Sequence, residues 1–407
     1  MINYLDHETA EKLVTNYGSP LYVYSQDILE KRIDILQNML TVPHQVLFAM
    51  KANYNPSILK IVINKGLGID TVSVNEIKLA LNCGCDPSKI IFAESNASDE
   101  QIEEAINLGV TINCGSLSRL EKLGVKYGGK IKIFCRVTTD TGGGHHAKAS
   151  TYGLGSKFGI YWEQKNEIQN IIKKYGMKLV GLHQHLGSGI YDITTFEKVI
   201  DPLLEFAQNF DNLEYLDFGG GFATRYKPEE IELDVKVLGA FMDEKISYFN
   251  QTRLDNGKSQ ITTMIEPGRY VVNDCGILLT KVTTLKQNSL KTFAGVDTGF
   301  NQLVRYAMYG SYHHILNLSN LQGEMKVYDI AGNVCESSDF MAKEREVAYI
   351  SEGDILGILS TGAYGMSMAS NYNLQPLPAE VIIKNDGTFK LIRGRQTFKD
   401  LTNNFTF

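Results

Sequence analysis

The sequence lacks any run of lysine and arginine long enough to form a basic patch, and its formal net charge is -6 over 407 residues. Such a chain has no electrostatic reason to seek nucleic acid or an anionic membrane. It also lacks an uninterrupted apolar run approaching a bilayer span. The opening MINYLDHETAEKLV carries acids and no apolar core segment, so the expectation is a chain without a secretory signal, located in the cytoplasm. Cysteine pairs of the CxxC kind are missing: Cys83, Cys85, Cys114, Cys135, Cys275 and Cys335 are scattered. That spacing suggests neither a zinc site nor a thioredoxin-like motif, and no metal is expected. In a reducing compartment most of these should be buried thiols, with Cys335 the exception. Low-complexity linkers are absent too, so any domains should pack closely.

What is present is a length comfortable for two domains and, at 43% hydrophobic and 21% charged residues, enough apolar material for a sizeable core. Eight short apolar runs punctuate the middle of the chain: VLFAMK (46–51), GIDTVS (68–73), IIFAE (90–94), TINC (111–114), KIFCRV (132–137), LVGLHQH (179–185), EYLDFGGG (214–221) and TTMIEPG (262–268). Between them lie NPSILKIVINKG, NEIKLALNCG and SDEQIEEAINLG, with apolar residues at helical spacing and a C-terminal glycine. SDEQ opens like a capping box. Eight strands alternating with helices predict a (β/α)8 barrel over residues 26–270. A doubly wound sheet is the competing reading, but it does not by itself favour a count of eight. After residue 270 the pattern shifts to ILLTKVTTL, TFAGVD, MKVYDIA, DILGILST, AEVIIK and FKLIRG, separated by turn residues. Residues 271–407 therefore read as an all-β domain that takes in LYVYS and the rest of residues 1–25.

Barrels of this kind place functional residues where strands end. The first run ends in Lys51, and the second leads to Ser73 and Glu76. The sixth ends in His185, followed by Gly187 and Ser188; the seventh in Gly219, Gly220 and Gly221; the eighth in Glu266, then Gly268 and Arg269. Each alone has an ordinary structural explanation: a solvated lysine, a satisfied histidine, a tight turn, a salt-bridged loop. Their joint placement on one rim is what argues for chemistry. A lysine at the end of an apolar strand should be partly desolvated and nucleophilic. Pyridoxal phosphate needs such a lysine, an acid at its pyridine nitrogen and backbone N–H donors around its phosphate, which glycines supply by letting the chain come close.

FAMKANYNPSIL resembles the lysine motif of the fold-type III pyridoxal-phosphate decarboxylases. DTVSVNEIKLAL, GSKFGI, GLHQHLGSG, DFGGGF and EPGRY follow in that family's order. The later strings VDTGFNQLVRYAMYGSYH, GNVCESSDF and GAYGMSMASNYN are similar to the diaminopimelate decarboxylase branch, and the resemblance covers nearly the whole chain. It implies the barrel plus β-domain fold, with the β-domain contributing to the substrate site and to the interface of a homodimer with shared active sites. It implies that Lys51 forms the Schiff base with the cofactor, that His185 stacks on its ring, and that Glu266 pairs with its pyridine nitrogen. Ser188, Gly219, Gly220, Gly221, the Gly268–Arg269 backbone and Tyr364 would hold the phosphate. Arg269, Arg305 and Tyr309, with Tyr364 alongside, would form the substrate site and clamp a distal carboxylate, which suits arginine better than lysine. Glu336 would read a distal ammonium. Cys335 and Glu336 would reach the site from the partner subunit, with Cys335 as proton donor. The implied reaction is decarboxylation of meso-diaminopimelate at its D-centre to L-lysine.

Two departures from the family pattern adjoin these residues. Tyr306 follows Arg305, and Asn333 precedes the CES string, where the family has proline in both places. They keep open a relative acting on another carboxylate-tailed amino acid, such as carboxynorspermidine or a siderophore precursor. An alanine racemase has no place for CES, and a non-catalytic relative would not need Lys51, Glu266, His185 and Cys335. His145 and His146, in DTGGGHHAKA, read as part of a mobile loop over the barrel mouth; adjacent histidines rarely chelate together, and the same holds for His313 and His314.

Overall fold

The computed structural model describes residues 5–138 and 155–406. His145 and His146, with the loop expected around them, lie outside the described residues. The chain separates into two compact units, one of Arg32–Thr224 and Ile231–Tyr270, the other of Met1–Lys31, Arg225–Glu230 and Val271–Phe407.

The first unit is the barrel. Its strands are His44–Ala49, Gly68–Thr71, Ile90–Ala93, Thr111–Cys114, Lys132–Thr138, Lys178–His183, Tyr215–Asp217 and Thr262–Ile265. All pair in parallel with their neighbours in chain order. The ring closes where Thr263 and Ile265 of the last strand pair with His44 and Val46 of the first. A two-residue strand, Ile160–Tyr161, hangs on the end of the fifth. Near-continuous apolar runs are what a strand buried on both faces requires, and each of the eight expected runs overlaps one strand.

Between strands most of the helices start on side-chain caps, Lys165–Tyr175 being an exception. Ser73 accepts from Glu76 N, Ser98 and Gln101 form the expected capping box, and Ser116 accepts from Arg119 N. Such caps satisfy N–H groups that the first helical turn leaves unpaired. Ser73 and Glu76 are thus accounted for as helix-start residues, Glu76 also accepting from Val72 N at 2.6 Å. Inside the ring, Leu47, Ile91, Phe134, Val180 and Met264 form a buried plug, with Tyr215 against it. Fully burying such side chains contributes about 1.5–3 kcal/mol each. Gly181 is required here: a Cβ at that position would lie 2.2 Å from Cε1 of Phe134.

The second unit is a mixed sheet of nine strands with helices on it. Its spine is the twelve-residue strand Gly276–Gln287. That strand pairs antiparallel with Leu21–Ser25, with Thr292–Val296 and with Ile355–Ile358. Leu21–Ser25 also pairs in parallel with Ala379–Ile383, so the expected recruitment of LYVYS into this sheet is present. Helix His7–Tyr17 packs Ala10, Leu13 and Val14 on Leu21, Val23, Ile277 and Leu279. Two strands were missed by the periodicity, Ile315–Asn317 and Phe340–Ala348. Among the described residues, no helix is long and apolar enough to cross a membrane.

Candidate active site

The carboxyl ends of the barrel strands carry a dense set of ionisable groups. Lys51 lies in the turn Met50–Ala52, directly after the first strand. Its Nζ is 2.8 Å from Oδ2 of Asp70, which the second strand buries completely on the side-chain measure. Lys51 is therefore an ion-paired amine rather than the lysine in apolar surroundings that FAMK suggested. Burial and the nearby charge of Glu266 push the Asp70 carboxyl up, against the pull of Lys51. From the fifth strand, Arg136 lays its guanidinium 4.7 Å from the centre of the Phe158 ring.

The sixth strand supplies two histidines. Oε2 of Glu266 lies 3.0 Å from Nε2 of His183, and both side chains are buried. The other oxygen of Glu266, Oε1, is buried and has no hydrogen-bond partner among the described residues. Burial alone would raise this carboxyl, but His183, Lys51 and His185 outweigh it and hold the group below the usual carboxylate range. His185 sits two residues beyond the strand. Its Nδ1 accepts the N–H of Gly220 at 3.1 Å. Burial, then Arg136 and Lys51, keep its imidazole well below the usual histidine range. A neutral ring whose Nδ1 accepts must carry its proton on Nε2.

The glycine triplet after the seventh strand is locked in place. Gly219 donates its N–H to Oδ1 of Asp217 at 2.8 Å and accepts from Glu266 N at 2.8 Å. Gly219 and Gly221 hold φ of 67° and 98°. A Cβ on Gly220 would lie 2.3 Å from the carbonyl oxygen of Glu266. Gly268 is less crowded but still tight, with Ala49 and Ala52 at 3.1 Å from where its Cβ would be. Ser188 and Arg269 meet directly, Nη2 of Arg269 donating to Oγ of Ser188 at 3.1 Å.

A buried carboxylate oxygen without a partner costs about 1–3 kcal/mol unless a ligand satisfies it. Oε1 of Glu266 is such an atom, and a protonated pyridine nitrogen is a donor of the right kind. With an amine at Lys51 and a glycine turn at 219–221, the residues present fit pyridoxal phosphate.

The β unit carries the remaining residues. Arg305 opens the short helix Arg305–Tyr309 and is buried. Its guanidinium carbon lies 5.6 Å from the ring centre of Tyr226, 5.8 Å from that of Tyr364 and 5.9 Å from that of Tyr309. Nη2 donates to Oγ of Ser311 at 3.2 Å. Tyr364 holds a φ of 58°, a strained conformation for a bulky side chain that the surrounding packing must impose. Cys335 and Glu336 are exposed on a loop between strands Met325–Ala331 and Phe340–Ala348. That loop is organised by Asp339, whose carboxylate accepts from Phe300 N at 2.6 Å and from Val334 N at 2.8 Å. Asn333 donates its backbone N–H to Thr298 O at 3.1 Å, a bond that proline could not make. None of the other five cysteines is in a disulfide, and Cys85, Cys114, Cys135 and Cys275 are buried.

Asp70, His183, Asp217, Arg136, Tyr226 and Asp339 were not singled out from the sequence. His183 was the most accessible of them, because it ends the strand that leads into His185, which was already chosen.

The family described as pyridoxal-dependent decarboxylase, pyridoxal binding domain, matches residues 26–273. A diaminopimelate decarboxylase of Methanothermobacter thermautotrophicus is 39% identical, over 96% of this chain and 92% of that protein. That of Aquifex aeolicus is 34% identical, over 97% and 93%. A crystal structure of a diaminopimelate decarboxylase superposes with a TM-score of 0.90 at 32% identity, covering 99% of this chain and 98% of the other. One from Helicobacter pylori, complexed with L-lysine, gives 0.87 at 28% identity, covering 97% and 98%. The chain belongs to the pyridoxal-dependent decarboxylases, in their diaminopimelate decarboxylase branch.

Proposed function

We propose that this chain removes the carboxylate at the D-centre of meso-2,6-diaminopimelate, giving L-lysine and CO2, with pyridoxal phosphate held at Lys51. The observation that carries the cofactor chemistry is the Glu266 carboxylate, with one oxygen bonded to His183 and the other buried without a partner. When bound, pyridoxal phosphate supplies an electron sink for the pair left on Cα as CO2 departs.

The chain's own residues do the rest. Lys51 is the amine that binds the cofactor, and Asp70 holds it at the strand end. Oε1 of Glu266 accepts the pyridine N–H and keeps that nitrogen protonated. His185, fixed as a neutral ring by Gly220, offers a flat face without adding charge. Ser188, the turn 219–221, the Gly268–Arg269 backbone and Tyr364 hold the phosphate. Arg269, Arg305 and Tyr309 hold the distal carboxylate, and Glu336 the distal ammonium. Cys335 delivers the proton to Cα. The working unit is a homodimer in the cytoplasm, with Cys335 and Glu336 serving the partner's site.

The distal carboxylate decides the substrate. Ornithine, lysine and arginine lack it, and a buried arginine facing a cationic or neutral tail would lose its partner at a cost of several kcal/mol, on the order of 3–5. The test is lysine formation from meso-diaminopimelate with pyridoxal phosphate present and ornithine, lysine and arginine in parallel. Lysine from diaminopimelate alone is the expected result. Product from the other three at comparable rates would overturn the assignment of Arg305. A normal cofactor spectrum with no product from any of the four would move the substrate to another carboxylate-tailed amino acid.

A further inference from the structure

Glu266 does not stand alone. One donor atom each from His183, Asp217 and Glu266 lies within 4.8 Å of the other two, and all three residues are buried. Nε2 of His183 faces Oε2 of Glu266 at 3.0 Å. Because an ionised carboxylate can only accept, the imidazole must donate from Nε2 whichever charge it carries. Nδ1 of His183 is buried without a hydrogen-bond partner among the described residues. A histidine serving only the fold would be expected to satisfy both nitrogens, since an unpaired buried nitrogen is costly. His183 instead spends its bond on Glu266, a carboxylate whose other oxygen is open.

We propose that His183 is a positioning residue of the decarboxylase, fixing Glu266 so that Oε2 is taken and Oε1 alone is turned to the pyridine nitrogen. Asp217 completes the arrangement from the other side. Its Oδ1 is committed to the N–H of Gly219, which ties the carboxylate cluster to the glycine turn. Other charged or titratable groups that act on Glu266 are Lys51, His185, Asp70 and Arg136. Asp217 is a second side-chain hydrogen-bond partner of Glu266, but the bond from His183 is the one that falls on Oε2. Losing that donor would free the carboxylate to rotate and weaken its hold on the pyridine proton. The effect should fall on the chemical step, not on substrate binding, because His183 is not among the residues assigned to either end of the substrate.

This inference rests on the assignment of Lys51 and Glu266 to pyridoxal phosphate, and the experiment separates the two. Holoenzyme is prepared with cofactor labelled at the pyridine nitrogen, and the 15N shift is followed with pH in wild type, His183→Leu and His183→Gln. Wild type should show a protonated nitrogen through the neutral range. His183→Leu should lower the pH at which that proton is lost by about one unit or more. It should cut kcat by about tenfold or more with KM little changed. Gln carries an N–H near the position of Nε2 and should restore most of both. If His183→Leu does not fold, His183→Asn serves in its place, since Asn is polar but too short to reach Oε2. An unchanged 15N titration in the Leu or Asn variant overturns the proposal, as does a Gln variant no better than Leu or Asn. A wild-type protein that binds no cofactor would instead overturn the assignment beneath it.

Discussion

The barrel rim and the β unit solve different electrostatic problems. On the rim, Lys51, Asp70, His183, Asp217 and Glu266 are gathered within one closed ring of strands, and every charge there has an opposite charge or a donor nearby. The arrangement is fixed by strand register and by glycines that admit no Cβ. In the β unit, Arg305 is buried among three tyrosine rings, while Cys335 and Glu336 stand exposed on a loop. A cofactor held through many turnovers needs the first kind of environment, which is set before it binds. A substrate that arrives and leaves needs the second: one strong cation with apolar walls, and reactive groups that solvent can reach. The comparison implies that loss of Lys51 on the rim removes the covalently held cofactor, whereas loss of Cys335 or Arg305 in the β unit leaves it bound and idle.

The sharpest break is Lys51→Ala. Turnover should fall by about three orders of magnitude or more, together with the absorbance of covalently held cofactor. Retained absorbance that borohydride still reduces would mean that another lysine does the work. Cys335→Ala should slow turnover by about a hundredfold or more while leaving that absorbance intact, the size expected for loss of a proton donor. Near-normal turnover in that variant would remove Cys335 from the mechanism. Mixing the two inactive variants tests the shared site. If Cys335 serves the partner's Lys51, heterodimers carry one intact site and activity should return to about a quarter of wild type. No recovery, with subunit exchange demonstrated, would place both residues in the same subunit's site.

Arg305→Lys comes next in size. Lysine keeps the charge but loses the planar fork that a carboxylate matches and the stacking on tyrosine rings. KM for diaminopimelate should rise by about tenfold to a hundredfold, with the cofactor spectrum unchanged. An unchanged KM would take Arg305 out of the clamp and leave the cation in its tyrosine cage as a packing device.

The same division governed what could be read from the sequence. Apolar runs, glycines and caps announce barrel strands and helix starts through local rules, so eight strands and the capping box at Ser98 were in view. Motif ends pointed to Lys51, His185 and Glu266. The charges inside the runs were not in view, because Asp70 in GIDT and Asp217 in YLD read as ordinary polar interruptions until the ring turns them inward. His183 was within reach, at the end of its strand and two residues before His185. In the β unit, Phe340–Ala348 carries four charged residues in FMAKEREVA, and only pairing with Met325–Ala331 makes it a strand. Tyr226 belongs to a six-residue segment that joins the β unit from the middle of the barrel sequence. No local pattern announces a partner that distant.

The finest test of the rim lies in Asp217. It is buried, and burial followed by the charge of Glu266 pushes its carboxyl well above the ordinary 3.8. The folded protein therefore keeps a proton there that the unfolded chain gives up above pH 3.8. By linkage, this group favours folding below that pH, and the contribution is lost as pH rises toward the folded value, by up to about 1.4 kcal/mol per pH unit. Glu266 acts in the opposite sense and in a lower window. Its folded value is depressed, so its contribution is present above the ordinary 4.5 and disappears only in acid. Asp217→Asn keeps an oxygen for the N–H of Gly219 and has no proton to lose. Its denaturant stability should match wild type near pH 4 and exceed it increasingly at pH 5 and 6. Parallel curves across that range would mean that Asp217 is ionised in the fold. The rim would then hold two buried negative charges side by side, and the balance argued for it would fail.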